Sequence, residues 1–170
     1  MRFIKVSLSA VFLFAFFNVH AQPITGAFGL KLGAYVPDWP EGDVGKAEIT
    51  DFKDDFFDRV EFWVLPYSKR IYRIEGIKIV QTMCGSERER NALISSLREK
   101  YSEHETEIFP DRRAIWKFTA DDRDRGISLM CAANGEDWIL ALMYTDWALN
   151  DQLDKERLLL EKRKIDGSKL

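Results

Sequence analysis

Hydrophobic and polar positions alternate through most of the chain. Val60, Phe62 and Val64 fall on one parity and Glu61, Trp63 and Leu65 on the other, the period-two pattern of a strand with one strongly apolar face. Pro66 ends that run. Ile71 to Thr82 resumes after Tyr67-Ser68-Lys69, close enough for the two segments to pair as an antiparallel hairpin. Within the second segment Tyr72 and Ile74 share a parity that Ile77 and Ile79 do not. A β-bulge at Gly76 would reconcile them, because an extra residue exchanges the faces and glycine tolerates the required backbone angles. Further strands are expected from Ala27 to Leu32, Glu105 to Phe109, Ala114 to Thr119, Ile127 to Ala133 and Trp138 to Thr145, with Asn134-Gly135 a hairpin signal between the last two.

Two stretches carry the helical period instead. Ser86 and Glu89 have capping-box spacing, and Leu93, Ile94, Leu97 and Tyr101 recur behind them at helical intervals. A second helix is expected from about Asp146 through Leu149, Leu153, Leu159 and Leu160 to about Lys164. Its Leu158-Leu159-Leu160 run cannot all face one side, which makes the distal turns a candidate contact for a second copy or another partner. Ala34 to Asp58, rich in prolines, glycines and acids, reads as a long surface loop with at most a helical turn near Thr50 to Phe56. The order β-β-β-α-β-β-β-β-α has strands in runs rather than between helices. It predicts an α+β fold, an antiparallel sheet of about six to seven strands with two main helices on one face. One domain over 22–166 with a tail at 167–170 accommodates it.

The amino terminus adds a compartment. Arg2 and Lys5 precede an uncharged apolar run from Val6 to Phe17, shorter than the roughly 20 residues of a membrane span, and Val19-His20-Ala21 offers a cleavage site. Residues 1–21 read as a signal peptide cleaved after Ala21, placing the protein in the periplasm or outside the cell with no transmembrane segment after cleavage. Lipidation is excluded, since Cys84 and Cys131 are the only cysteines. In an oxidising compartment they are expected to bridge, with two free thiols as the alternative. The bridge would close a loop of about 48 residues, worth about 4 kcal/mol on chain-entropy grounds.

Composition and charge narrow the chemistry. With 46% hydrophobic and 31% charged residues, 10 Gly and 5 Pro in 170, the chain is globular rather than collagenous or disordered. Loss of Arg2 and Lys5 takes the net charge from −3 to −5, which disfavours nucleic acid as a partner. Gly26, Gly29 and Gly33 flank a strand rather than open a helix, so they fail as a phosphate loop. His104, the one histidine left after cleavage, has no second histidine for a metal pair. No Gly-x-Ser-x-Gly elbow is present, and no cofactor or metal site is expected. Nine acids from Asp38 to Glu61 face three cations but lack calcium-loop spacing, and Asp122-x-Asp124-x-Gly126 reads as a turn.

Tyr35, Trp39 and Tyr67 stand in loops beside Pro37, Pro40 and Pro66, where exposed rings make contact surfaces. The expected function is therefore an exported, non-enzymatic domain that binds a protein or cell-envelope partner through these rings. The alternative is a small carboxylate-based hydrolase of glycans or peptidoglycan, which needs only two acids some 5 to 10 Å apart. Two acids converging in a concave pocket would favour hydrolysis.

Overall fold

The computed structural model describes residues 23–101, 114–119 and 124–167, the middle segment by its backbone. The expected leader, His104, the strand expected from Glu105 to Phe109, Asp122 and residues 168–170 lie outside the described residues. The class is the expected α+β. Two short strands, β1 (Gly26–Ala27) and β2 (Leu30–Lys31), form a separate hairpin. Strands β3 (Gly45–Ile49), β4 (Arg59–Val64), β5 (Ile71–Val80), β6 (Ala114–Thr119), β7 (Arg125–Asn134) and β8 (Asp137–Asp146) form one antiparallel sheet in the order β3-β4-β5-β8-β7-β6. Helix α1 (Glu87–Tyr101) follows β5 and α2 (Trp147–Gly167) follows β8. No helix among the described residues is long and apolar enough to cross a membrane.

The period-two pattern of the hairpin β4–β5 sorts side chains as expected. Val60 and Val64 are fully buried and join Ile74 from β5, Leu140, Leu142 and Tyr144 from β8, and Ile127 and Leu129 from β7. Leu97 and Tyr101 of α1 close this core from above. The capping box is formed: the Glu89 amide donates to Ser86 Oγ at 3.2 Å, and the Ser86 hydroxyl donates to the Glu89 carboxylate at 2.7 Å. That hydrogen bond, with Lys78 next in weight, holds the Glu89 carboxyl below its ordinary value. At the other helix, Asp146 Oδ1 accepts the Leu149 amide at 3.0 Å as an N-cap. Its Oδ2 accepts from Arg125 Nε at 3.1 Å, and Arg125 in turn donates to the Ile24 carbonyl.

Four details depart from the sequence pattern. The run from Ala27 to Leu32 is a hairpin rather than one strand, because Phe28 and Gly29 sit at φ 54° and 79° and turn the chain. The segment from Ala34 to Asp58 contains β3. Gly45, Ala47 and Ile49 face inward, and Lys46 and Glu48 face out against Trp63 and Glu61 of β4. The bulge lies at Tyr72 and not at Gly76: Trp63 pairs with Arg73 and Val64 with Ile71, whereas the ladder from Arg73 to Val80 against β8 is unbroken. The helices do not share one face. The displaced Tyr72 joins Leu65 and Leu153 in a second cluster with Leu149 and Trp63, and α2 packs there.

Gly76 has a different purpose. A Cβ built on it would lie 2.6 Å from Phe28 Cζ and 3.0 Å from Phe57 Cγ. The tip of the β1–β2 hairpin thus brings the end of its ring against the bare backbone of a central strand, with Phe28 edge-on to Phe57 at 5.3 Å and to Tyr144 at 6.3 Å. Gly76→Ala overpacks this contact and should lower unfolding stability by about 1–3 kcal/mol in urea titrations. Adding Phe28→Leu should restore part of the loss, and the absence of any restoration would place the clash elsewhere.

Candidate functional site

The sheet has two ends. At one, β7 turns into β8 near Cys131 and Cys84. At the other, the β4–β5 turn, the 32–45 connection and α2 converge. The turn is closed by Leu65 N to Arg70 O and Lys69 N to Leu65 O, with Lys69 at φ 53°. The connection runs beside it as an irregular extra strand: Gly33 N donates to Ile71 O, Ile71 N to Ala34 O and Val36 N to Lys69 O, with Tyr35 bridged to Arg70. Gly42 N then donates to Pro66 O at 2.9 Å. These backbone bonds carry the rings of Tyr35, Trp39 and Tyr67 to one end of the molecule.

Their surroundings differ. Tyr35 is 62% exposed. Trp39 is half-buried, its indole N–H donating to the Asp43 carbonyl at 3.0 Å and its ring tilted against Phe62, so it is partly a core side chain. Tyr67 is half-buried under the Arg163 guanidinium, which stands 4.8 Å above its ring. The Tyr67 and Ser68 hydroxyls are buried and make no hydrogen bond among the described residues.

Helix α2 fastens to this turn through Glu156, a carboxylate only 5% exposed. Its Oε2 accepts the Tyr67 amide at 2.8 Å and the Ser68 amide at 3.3 Å, and its Oε1 accepts from Gln152 at 2.7 Å. One helical turn further on, Leu160 lies against Gly42, where a Cβ would come within 3.0 Å of it, and Arg163 reaches Glu41 at 3.4 Å. Between loop, turn and helix opens a shallow cleft of about 320 Å³ lined by Glu41, Gly42, Tyr67, Leu160, Arg163 and Lys164. It offers an aromatic face, an aliphatic wall and two cations beside one carboxylate. That set suits binding and lacks a pair of acids.

Paired acids occur elsewhere. Glu61 and Glu75 oppose one another across β4 and β5, on the face away from the α1 core, at 5% and 8% exposure. Lys46 and Arg59 contact Glu61 at 2.6 and 3.4 Å, Arg73 contacts Glu75 at 3.0 Å, and the Arg73 guanidinium lies 4.6 Å over the Trp63 ring. Burial raises the Glu75 carboxyl above its ordinary value, Arg73 pulls it part of the way back, and the Glu61 carboxylate pushes it up again. This is a lattice of alternating charge on a sheet surface rather than a concave pair.

The acidic loop is put to structural use. Asp54 accepts the Phe56 and Phe57 amides, and Asp58 accepts the Ile79 amide at 2.6 Å. Among the described residues no group of three or more His, Cys, Asp or Glu could hold a metal ion. Cys84 and Cys131 form the expected disulfide, with 5.3 Å between Cα atoms. Sequence reasoning reached Tyr67 as a loop ring but not Glu156, Arg163 or Glu41. The available signal was Glu156 four residues after Gln152, which marks a helix face but names no partner.

No protein-family model, curated protein or solved structure matches the chain.

Two outcomes test this geometry. Glu156→Ala strands two backbone donors in a buried site and should cost about 2–4 kcal/mol in chemical denaturation, while Glu156→Gln, which keeps an acceptor, should cost less than half as much. Equal losses would mean that the amides do not depend on the carboxylate. For Glu75 the sign follows from linkage. A carboxyl raised in the folded state holds its proton more tightly there than in the unfolded chain, so its contribution to stability is present below 4.5 and lost as pH rises through the folded value. Glu75→Gln removes that titration. The variant's stability relative to the parent should therefore climb as pH rises from 4.5 toward neutrality, and a decline would reverse the assignment.

Proposed function

We propose that the protein is an exported, non-enzymatic binding module that grips a protein or cell-envelope partner at the turn end of its sheet. The observation that carries this reading is the cleft in which Tyr67, Leu160, Arg163 and Glu41 meet from three distant parts of the chain. An exposed Tyr35 stands at the same end, and Leu158 and Leu159 on α2 are 57% and 52% exposed. Aromatic and arginine side chains are enriched among the residues that dominate protein recognition: the rings bury large areas with few torsions to fix, and the guanidinium adds a planar fork of donors. The apolar leader and the Cys84–Cys131 bond support an oxidising location outside the cytoplasm.

Carboxylate-based hydrolysis is the second reading, and the opposed Glu61 and Glu75 with a raised Glu75 carboxyl favour it. Its weakness is that both acids are engaged by cations. Site-specific photocrosslinking in the native envelope separates the possibilities. A crosslinker in place of Tyr67 or Arg163 should give one adduct of discrete mass, and a crosslinker in place of Glu136, at the far end of the sheet, should give none. Adducts from the Glu136 position alone would overturn the site. Peptidoglycan cleavage by the parent protein that Glu75→Gln abolishes would overturn the non-enzymatic reading.

A further inference from the structure

The Cys84–Cys131 bond does more than link two segments. It joins the residues ahead of α1 to the core-facing side of β7, and α1 has little else to hold its first turn, because Leu93 and Ile94, half-buried against the core, come only in its second turn. The helix's two buried side chains, Leu97 and Tyr101, both lie in its last five residues, and Glu87, Arg88 and Glu89 are exposed. Arg90 donates to the Cys84 and Gly85 carbonyls, which ties the helix to its own cap rather than to the sheet. The first turn's remaining tie is an ion pair between Lys78 and Glu89 at 3.7 Å with Glu89 45% exposed, a contact of small worth in water.

The two sulfurs are unequally placed. Cys131 is 4% exposed, on a central strand. Cys84 is part-exposed in the loop between β5 and α1, at φ 63°, a left-handed conformation that a residue with a side chain adopts at a cost. Met83 beside it is 69% exposed and gives an incoming protein an apolar contact next to the sulfur.

We propose that this disulfide is a redox latch, opened by a dithiol reductant at Cys84, and that its opening frees the first turn of α1 while the rest of the helix and the sheet stay folded. The reductant's thiolate attacks Cys84 Sγ, the Cys84–Cys131 bond breaks, and its electron pair leaves on Cys131 Sγ, which takes a proton. The reductant's second thiolate then attacks its own sulfur in the mixed disulfide. That closes the reductant's disulfide and expels Cys84 as a thiolate, which is protonated in turn. Two electrons and two protons pass to the protein, and the dithiol is oxidised. Thiol–disulfide exchange goes to the sulfur that can be reached, which here is Cys84.

The experiment uses the processed full chain and a thioredoxin-type dithiol protein whose resolving cysteine is replaced by serine, so that the mixed disulfide accumulates. Peptide mass mapping should find the adduct on Cys84; an adduct on Cys131, or none under conditions that reduce a model disulfide, overturns the proposal. Trypsin is then applied to the oxidised chain, to the chain reduced by dithiothreitol and alkylated, and to the Cys84→Ser/Cys131→Ser variant. Opening should add cuts at Arg88 and Arg90, at least tenfold faster than in the oxidised chain, with Arg59 and Arg73 in the sheet still protected. New cuts throughout the sheet would show that the bond holds the whole fold, and an unchanged pattern would show that it holds nothing at α1. Either result defeats the latch.

Discussion

The pairing of β5 with β8 makes one molecule out of two halves. In the main sheet β3 to β5 lie on one side of that seam and β6 to β8 on the other, and eight consecutive residue pairs, from Arg73 with Thr145 to Val80 with Trp138, cross it. Such a seam is slow and entropically costly to form, because a long loop must close before any of its hydrogen bonds exist. The Cys84–Cys131 bond lies at the end of the same seam, four residues beyond β5 and on the strand next to β8. It shortens the loop that the unfolded chain must close, which is why one bridge in this position is worth about 4 kcal/mol by the chain-entropy argument.

A central strand has two faces, and those of β5 are solved differently. One carries Ile74 and the bare backbone of Gly76, which admits Phe28 and Phe57 and completes an apolar core under α1. The other carries Arg73 and Glu75, and its neighbour β4 offers Glu61 and Trp63. Like charges directly opposite in a sheet repel, so Glu61 beside Glu75 is tolerable only because Lys46, Arg59 and Arg73 alternate with them. Each buried carboxylate on this face thus has a cation beside it, and the raised Glu75 carboxyl is what remains of the cost of burial.

Much of this was legible in the residues, where the determinants are local. The β4–β5 and β7–β8 hairpins, the Ser86–Glu89 cap and the disulfide all follow from neighbours or from a count of two cysteines. β3 was not legible, because its five residues hold only Ala47 and Ile49 as apolar positions and its charged ones owe their place to β4. The change of parity along β5 is real. Its cause is tertiary: Gly76 gives up core space to Phe28, and Ile77 is buried on the outer face opposite Ala141, so no bulge is needed there. The cleft was half legible. Tyr67 stands out beside Pro66, but Glu156 lies 89 residues from Tyr67 and Arg163 lies 122 from Glu41, distances that no periodicity spans.

The same seam runs lengthwise between the two ends of the molecule, from Arg73 and Thr145 near the cleft to Val80 and Trp138 near the disulfide. The cleft is held by hydrogen bonds among the 32–45 connection, the β4–β5 turn and the Glu156 carboxylate. The disulfide is held by the β5–α1 loop and β7. Between them stand the ladders of β5, β7 and β8, whose backbone groups are paired along ten-residue strands and whose core side chains are close-packed. Breaking that pairing costs far more than releasing the exposed first turn of α1. The turn end and the disulfide end are thus joined through the continuous ladders of β5, β8 and β7, the longest strands of the sheet.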